Sequence, residues 1–230
     1  NFQKIWVKND KSVNIFLLKA KSEGFPSLLS SSIKNGYKNK SIGGSFDSKK
    51  TFTKINMSTW LSKGKTEYLD FQLNPLSYNY ENSAYSLNYF FEHKDPLLVS
   101  LNLSAAKDLI DQNQLNNLDL KDITETDSLN IELMLFSPPN KDLSFAIGYA
   151  QEKQKVNYSS FGTQFQKKIN TNSFLTEGKI KIKNNLVRVK LRFSNHDFYS
   201  SHKSWNIGYK KKINPLWSIR LNGGSAFRSP

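Results

Sequence analysis

The chain has 230 residues, 33 Lys plus Arg against 19 Asp plus Glu, and a net charge of +14. It has no Cys and three His, which excludes disulfides, Cys-bound zinc and thiol catalysis and leaves little for a His-based metal site. Aromatic residues make up 13%, too many for a disordered chain. No apolar run is long enough for a transmembrane helix, but a transmembrane β-strand needs only about 9–11 residues and tolerates a polar average.

Alternation with period two dominates and predicts strands. After a short run at 2–7, such segments lie near 11–20, 33–46, 51–62 and 84–92. At 97–104, Leu97, Val99, Leu101 and Leu103 oppose Ser100, Asn102 and Ser104. The next piece, 104–112, reads as a short helical turn and is the only helix candidate. Further alternating runs follow near 128–137, 143–151 and 174–183. At 186–194, Val187, Val189, Leu191 and Phe193 share one face, and Arg188, Lys190, Arg192 and Ser194 the other. At 204–212, Trp205, Ile207 and Tyr209 oppose Asn206, Gly208, Lys210 and Lys212, and at 216–222 Trp217, Ile219 and Leu221 oppose Ser218, Arg220 and Asn222. This predicts an all-β antiparallel meander of about eleven strands, twelve if 2–7 counts.

Short links at 47–50, 93–96, 138–142, 184–185 and 214–215, all but the first bearing Pro or Asn, alternate with long polar ones near 63–83, 107–127, 152–173 and 195–203. Tight turns at one end and long loops at the other are the pattern of an outer-membrane barrel. Trp60, Tyr85, Tyr89, Tyr149, Trp205, Tyr209 and Trp217 suit an interfacial aromatic girdle. With eleven strands the first and last run the same way and cannot close as an antiparallel pair, and an open edge in lipid leaves backbone groups unpaired. The missing Met at Asn1 and the stop at Arg228-Ser229-Pro230 are read the same way, as a piece of a longer barrel.

The stretch Gly224-Ser225-Ala226-Phe227-Arg228-Ser229-Pro230 resembles a recurrent mid-barrel segment of TonB-dependent outer-membrane receptors, with Ser229 where an Ala is usual. Ser204-Trp205-Asn206-Ile207-Gly208-Tyr209 is similar to the strand before it, and Tyr85–Pro96 to earlier hairpins of that family. The resemblance makes Gly224, Ala226, Phe227, Arg228 and Pro230 a structural motif. It implies a 22-stranded barrel with a plug domain, of which residues 1–230 form the N-terminal half of the wall; plug and C-terminal strands lie elsewhere. It further implies an outer-membrane location, TonB acting through the plug, and uptake of a scarce small-molecule nutrient such as a ferric siderophore or cobalamin. A passive porin-like or adhesion barrel, and a soluble β-sandwich binding module, are the competing readings.

Arg188, Lys190, Arg192, Arg220 and Arg228 fall on the less apolar faces and are candidates for a basic lumen that meets a plug or an anionic ligand. Ordinary inward-facing polar residues balanced by acidic plug groups are the plainer reading. Asp108, Asp111, Asp119 and Asp122 lie in the predicted 107–127 loop, where oxygen donors could take calcium; their spacing matches no compact calcium loop, and a solvated loop is the plainer reading. The lysines look scattered and no phosphate loop or nucleic-acid motif is present, so no nucleic-acid partner is expected. His196, Asp197, Ser200, Ser201 and His202 share one predicted loop without a nucleophile elbow, and no enzymatic activity is expected.

Overall fold

A computed structural model of the chain describes residues 1–26, 35–69, 74–92, 98–114, 121–137, 142–160, 162–198, 200–214 and 217–226. The described residues form one twelve-stranded sheet. Its first half is β1 (Phe2–Lys8), β2 (Lys11–Ser22), β3 (Tyr37–Lys50), β4 (Thr53–Leu69), β5 (Pro75–Glu92) and β6 (Leu98–Gln114). Its second half is β7 (Lys121–Phe136), β8 (Leu143–Ser160), β9 (Thr163–Ile182), β10 (Asn185–His196), β11 (Ser200–Lys212) and β12 (Ser218–Ser225). Spatial order equals chain order and every described pairing is antiparallel. No second sheet packs on it among the described residues, which removes the sandwich reading.

Three expectations are corrected. The helix expected at 104–112 is the middle of β6: Ala105, Lys107 and Leu109 pair with Leu129, Asp127 and Glu125. The long links are mostly strand; β9 alone runs 20 residues, about twice what a tilted strand needs to cross a bilayer. Hydrophobic alternation fades there because both faces are polar, while backbone pairing continues regardless of side chain. Finally, with twelve strands β1 and β12 run in opposite directions, so parity does not forbid their closure. The sheet is nevertheless open, each of these two strands having one neighbour among the described residues.

Directly opposed residues in an antiparallel pair share a face, so the register assigns every strand residue. One row crosses the sheet as Ser12, Asp47, Asn56, Asn88, Asn102, Glu132, Ala150, Ser173, Ser194 and His202. Hydrogen bonds stitch it: Ser12 to Asp47 at 3.3 Å, Asn88 to Asn56 at 3.1 Å, Asn102 to Glu132 at 3.1 Å and Ser173 to Ser194 at 2.9 Å. Elsewhere on this polar face, Ser41 and Ser62 meet at 2.9 Å. Where β8 crosses it, Ala146, Gly148 and Ala150 leave room for longer neighbours. A Cβ on Gly148 would stand 2.0 Å from Met134 Sδ and 2.7 Å from the Leu133 carbonyl oxygen, so only glycine fits.

The opposite face is apolar. Leu129, Ile131, Leu133 and Leu135 of β7 lie beside Val99, Leu101, Leu103 and Ala105 of β6 and beside Ile147 and Tyr149 of β8. The belt continues through Phe174 and Ile180 of β9, through Val187, Val189, Leu191 and Phe193, and to Ile207, Tyr209, Ile219 and Leu221. Among the described residues the buried hydrophobics are only Leu76, Ala146 and Ala150, whereas serines 41, 48, 62, 77, 160, 173 and 194 are buried. A water-soluble domain holds itself together by hiding apolar surface. Here that surface is displayed: Phe145 is 59% exposed and Leu221 61%.

Candidate functional site

The sheet separates two chemistries, and the polar face carries the charged cluster. Arg188, Lys190 and Arg192 alternate along β10 and face the same way as Ser194, opposite to Val187, Val189, Leu191 and Phe193. The alternation expected at 186–194 is therefore present. Arg220 joins them on this face through its pairing with Lys210. Arg228 lies outside the described residues.

Glu177 of β9, directly opposite Lys190, holds two of these cations: Arg188 Nε at 3.0 Å and Lys190 Nζ at 3.2 Å. The sequence reading missed it, placing the counter-charge on a plug. The available signal was the hairpin at 183–184, which fixes the β9–β10 register. Arg192 is held differently. Its Nε donates to Ser173 and Ser194, each at 3.1 Å, and its Nη2 to Ser173 at 2.9 Å. These bonds fix the guanidinium without neutralising it; among the described residues Arg192 makes no ion pair.

Arg192 borders two hollows on this face. One, of about 410 Å³, is lined by Glu152, Gln154, Ser194, His196, His202 and Ser204. The other, of about 460 Å³, reaches from Asn102 and Glu132 to Glu177, Lys190 and Asn206, crossing β8 where its side chains are small. This region can therefore present one uncompensated guanidinium and flanking hydroxyl, amide and imidazole groups to an anion.

The residues weighed as a triad stay apart in role. Asp197 accepts from the Asn170 backbone N–H at 3.1 Å and from its side chain at 2.8 Å, and Ser201 donates to Asn195 at 3.2 Å. His196 Nδ1 accepts from the Phe198 N–H at 3.1 Å.

The acidic residues expected in one loop are on strands. Asp108 and Asp122 lie on the polar face and Asp111 on the apolar face, where Lys121 binds it at 3.1 Å. Asp119 is outside the described residues, and no group of three or more metal-ligating side chains occurs among the described ones.

Of the motif residues, Gly224 pairs with Asn206 in β12, Ala226 follows the strand, and Phe227, Arg228 and Pro230 are outside the described residues. Of the expected girdle, Tyr85, Tyr89, Tyr149, Trp205 and Tyr209 are on the apolar face. Trp60 is not: it sits on the polar face between Gly43 and Ala84, two small neighbours that leave room for its ring.

No protein-family model and no curated protein sequence matches the chain. Solved structures do match in shape. The siderophore receptor PirA from Acinetobacter baumannii superposes with a TM-score of 0.75 at 16% identity, over 99% of this chain and 40% of that one. A variant of the ferric enterobactin receptor PfeA from Pseudomonas aeruginosa gives 0.75 at 12% identity, over 97% and 40%. The siderophore receptor PirA from Pseudomonas aeruginosa gives 0.71 at 12%, over 97% and 38%. The chain thus spans about two fifths of the length of these receptors, and at such identity the likeness is one of fold: the antiparallel meander of an outer-membrane barrel wall.

Proposed function

We propose that this chain is wall and loop structure of a TonB-dependent outer-membrane receptor barrel, which takes up a scarce nutrient such as a ferric siderophore or cobalamin. The observation that carries the membrane part is the unbroken apolar belt on one face of a sheet whose other face is hydrogen-bonded and charged. Hydrocarbon accepts the first face, and the second requires water, a plug or a ligand. The shape match to siderophore receptors supports the transport part.

In this reading the polar face is the lumen. Arg192, flanked by the Glu177-paired Arg188 and Lys190, is the group best placed to meet an anionic ligand or an acidic patch on a plug. The wall shapes the passage, and energy arrives through the plug from TonB.

The test is uptake by cells with and without the gene, using radiolabelled ferric siderophores and cobalamin. Loss of one substrate in the deletion strain, together with loss in the parent when the proton-motive force is collapsed, supports the proposal. Unchanged uptake after collapse supports the passive barrel instead.

A further inference from the structure

Lysines that look scattered in sequence are gathered by the register. On the apolar face, Lys19 of β2, Lys40 of β3 and Lys63 of β4 stand side by side in one row. Lys21, Lys38 and Lys65 form a second row on the same three strands. The six occupy a patch about 10 Å across the strands and about 7 Å along them. Like charges directly opposite one another destabilise a sheet. The local acids offset only part of this: Glu23 holds Lys21 at 3.0 Å, Glu81 holds Lys63 at 2.8 Å and Glu67 holds Lys65 at 2.6 Å. Lys19, Lys38 and Lys40 are exposed and make no ion pair among the described residues.

The row next to this patch is apolar and exposed: Leu17 at 44%, Ile42 at 46% and Leu61 at 40%. Beyond it lies a groove of about 490 Å³ on the same face. Gly44, Thr59 and Ala105 give it a shallow floor, and Met57, Tyr85 and Leu103 rise around them. Lys63 and Thr59 are four residues apart on one strand, about 13 Å.

We propose that this face holds a site for a phosphorylated lipid: the lysine patch takes the phosphate and the groove takes an acyl chain. The inference rests on the membrane reading above and adds a specific lipid contact to it. Charge complementarity names the headgroup, because ammonium groups at two-strand spacing suit phosphate oxygens as point charges and no arginine is among them. Continuity names the source. The patch adjoins the apolar belt with no polar row between, so the anion it meets carries hydrocarbon.

The test uses the protein reconstituted in phosphatidylcholine bilayers with spin-labelled lipids. Spin-labelled phosphatidic acid is expected at the protein boundary about tenfold more strongly than spin-labelled phosphatidylcholine, and the preference should weaken in high salt. Lys19→Gln/Lys38→Gln/Lys40→Gln should bring the two lipids to equal affinity without altering the amount of boundary lipid. Ala105→Phe, which fills the groove and leaves the charges in place, should reduce the preference severalfold. Equal affinity in the unaltered protein, or a preference that survives the triple substitution, overturns the proposal while the membrane reading stands. Absence of a motionally restricted signal from either lipid sinks both.

Discussion

Ser173 Oγ and Ser194 Oγ stand 2.9 Å apart on adjacent strands, and the Arg192 guanidinium donates to both. Ser173 is 1% exposed. A small hydroxyl in each strand thus provides a seat for a long cation that would otherwise sweep the polar face. Ser173→Ala should remove an acceptor that Arg192 uses through two nitrogens, at a cost of about 1–2 kcal/mol. Urea unfolding in detergent or lipid is the measurement. Ser58→Ala, at the exposed 2.7 Å contact with Ser86, should cost less than half as much.

Glu177 pairs with both Arg188 and Lys190 and offsets one of their two charges, which leaves Arg192 as the cation of β10 without an ion pair among the described residues. Glu177→Gln should change stability by less than about 1 kcal/mol, because both pairs are half-exposed. It should raise the affinity of the polar face for an anion such as pyrophosphate, and Arg192→Gln should lower it. Calorimetric titration of both variants at two salt concentrations checks the pair of signs.

Two glycines in neighbouring strands should respond oppositely to the same substitution. Gly148→Val would drive a side chain into Met134 and the Leu133 carbonyl, and should destabilise by about 1–3 kcal/mol. Gly178 has nothing within 4 Å of an added Cβ and faces the apolar belt, so Gly178→Val should be neutral or stabilising through its better fit to a strand. Thermal unfolding of the two variants makes the comparison.

Beyond the apolar run of β6 and β7, Lys107 and Glu125 form an ion pair. The hydrogen bond from Lys107, helped by one from Asn157, holds the Glu125 carboxyl below its usual range. The hydrogen bond to Glu125 in turn raises Lys107. The Glu125 contribution is therefore present above the unfolded carboxyl's pKa and fades as pH falls through the depressed one. The Lys107 contribution is present below the unfolded amine's pKa and fades as pH rises through the raised one. Glu125→Gln should lower stability slightly in the neutral region and leave the acid end unchanged, so that the acid limb becomes flatter, as monitored by unfolding from pH 3 to pH 8.

The strands of the apolar belt were legible because their two faces differ. Val187–Phe193 needs only alternation to be read. The outer halves of β4 to β9 were not legible, because residues such as Gln151 to Lys155 are polar on both faces and carry no period. Glu177 and the lysine patch were missed for another reason. Residues 19, 40 and 63 become neighbours only when two hairpin registers are known, and periodicity gives the face of a residue without giving its partner. Trp60 was misplaced because an aromatic beside a strand was read by residue type, whereas the alternation that places it with Ser58 and Ser62 sets its side, and the small Gly43 and Ala84 across from it leave room for the ring.

The central claim is that the two faces of this sheet meet different solvents. Single spin labels placed in turn at 187 through 193 of the reconstituted protein test it most directly, with oxygen as the lipid-soluble quencher and a nickel chelate as the aqueous one. Oxygen accessibility is predicted to peak at 187, 189, 191 and 193, and nickel accessibility at 188, 190 and 192, in a strict two-residue period. Equal accessibility of both faces to the nickel chelate, or peaks of oxygen accessibility at 188, 190 and 192, would contradict it.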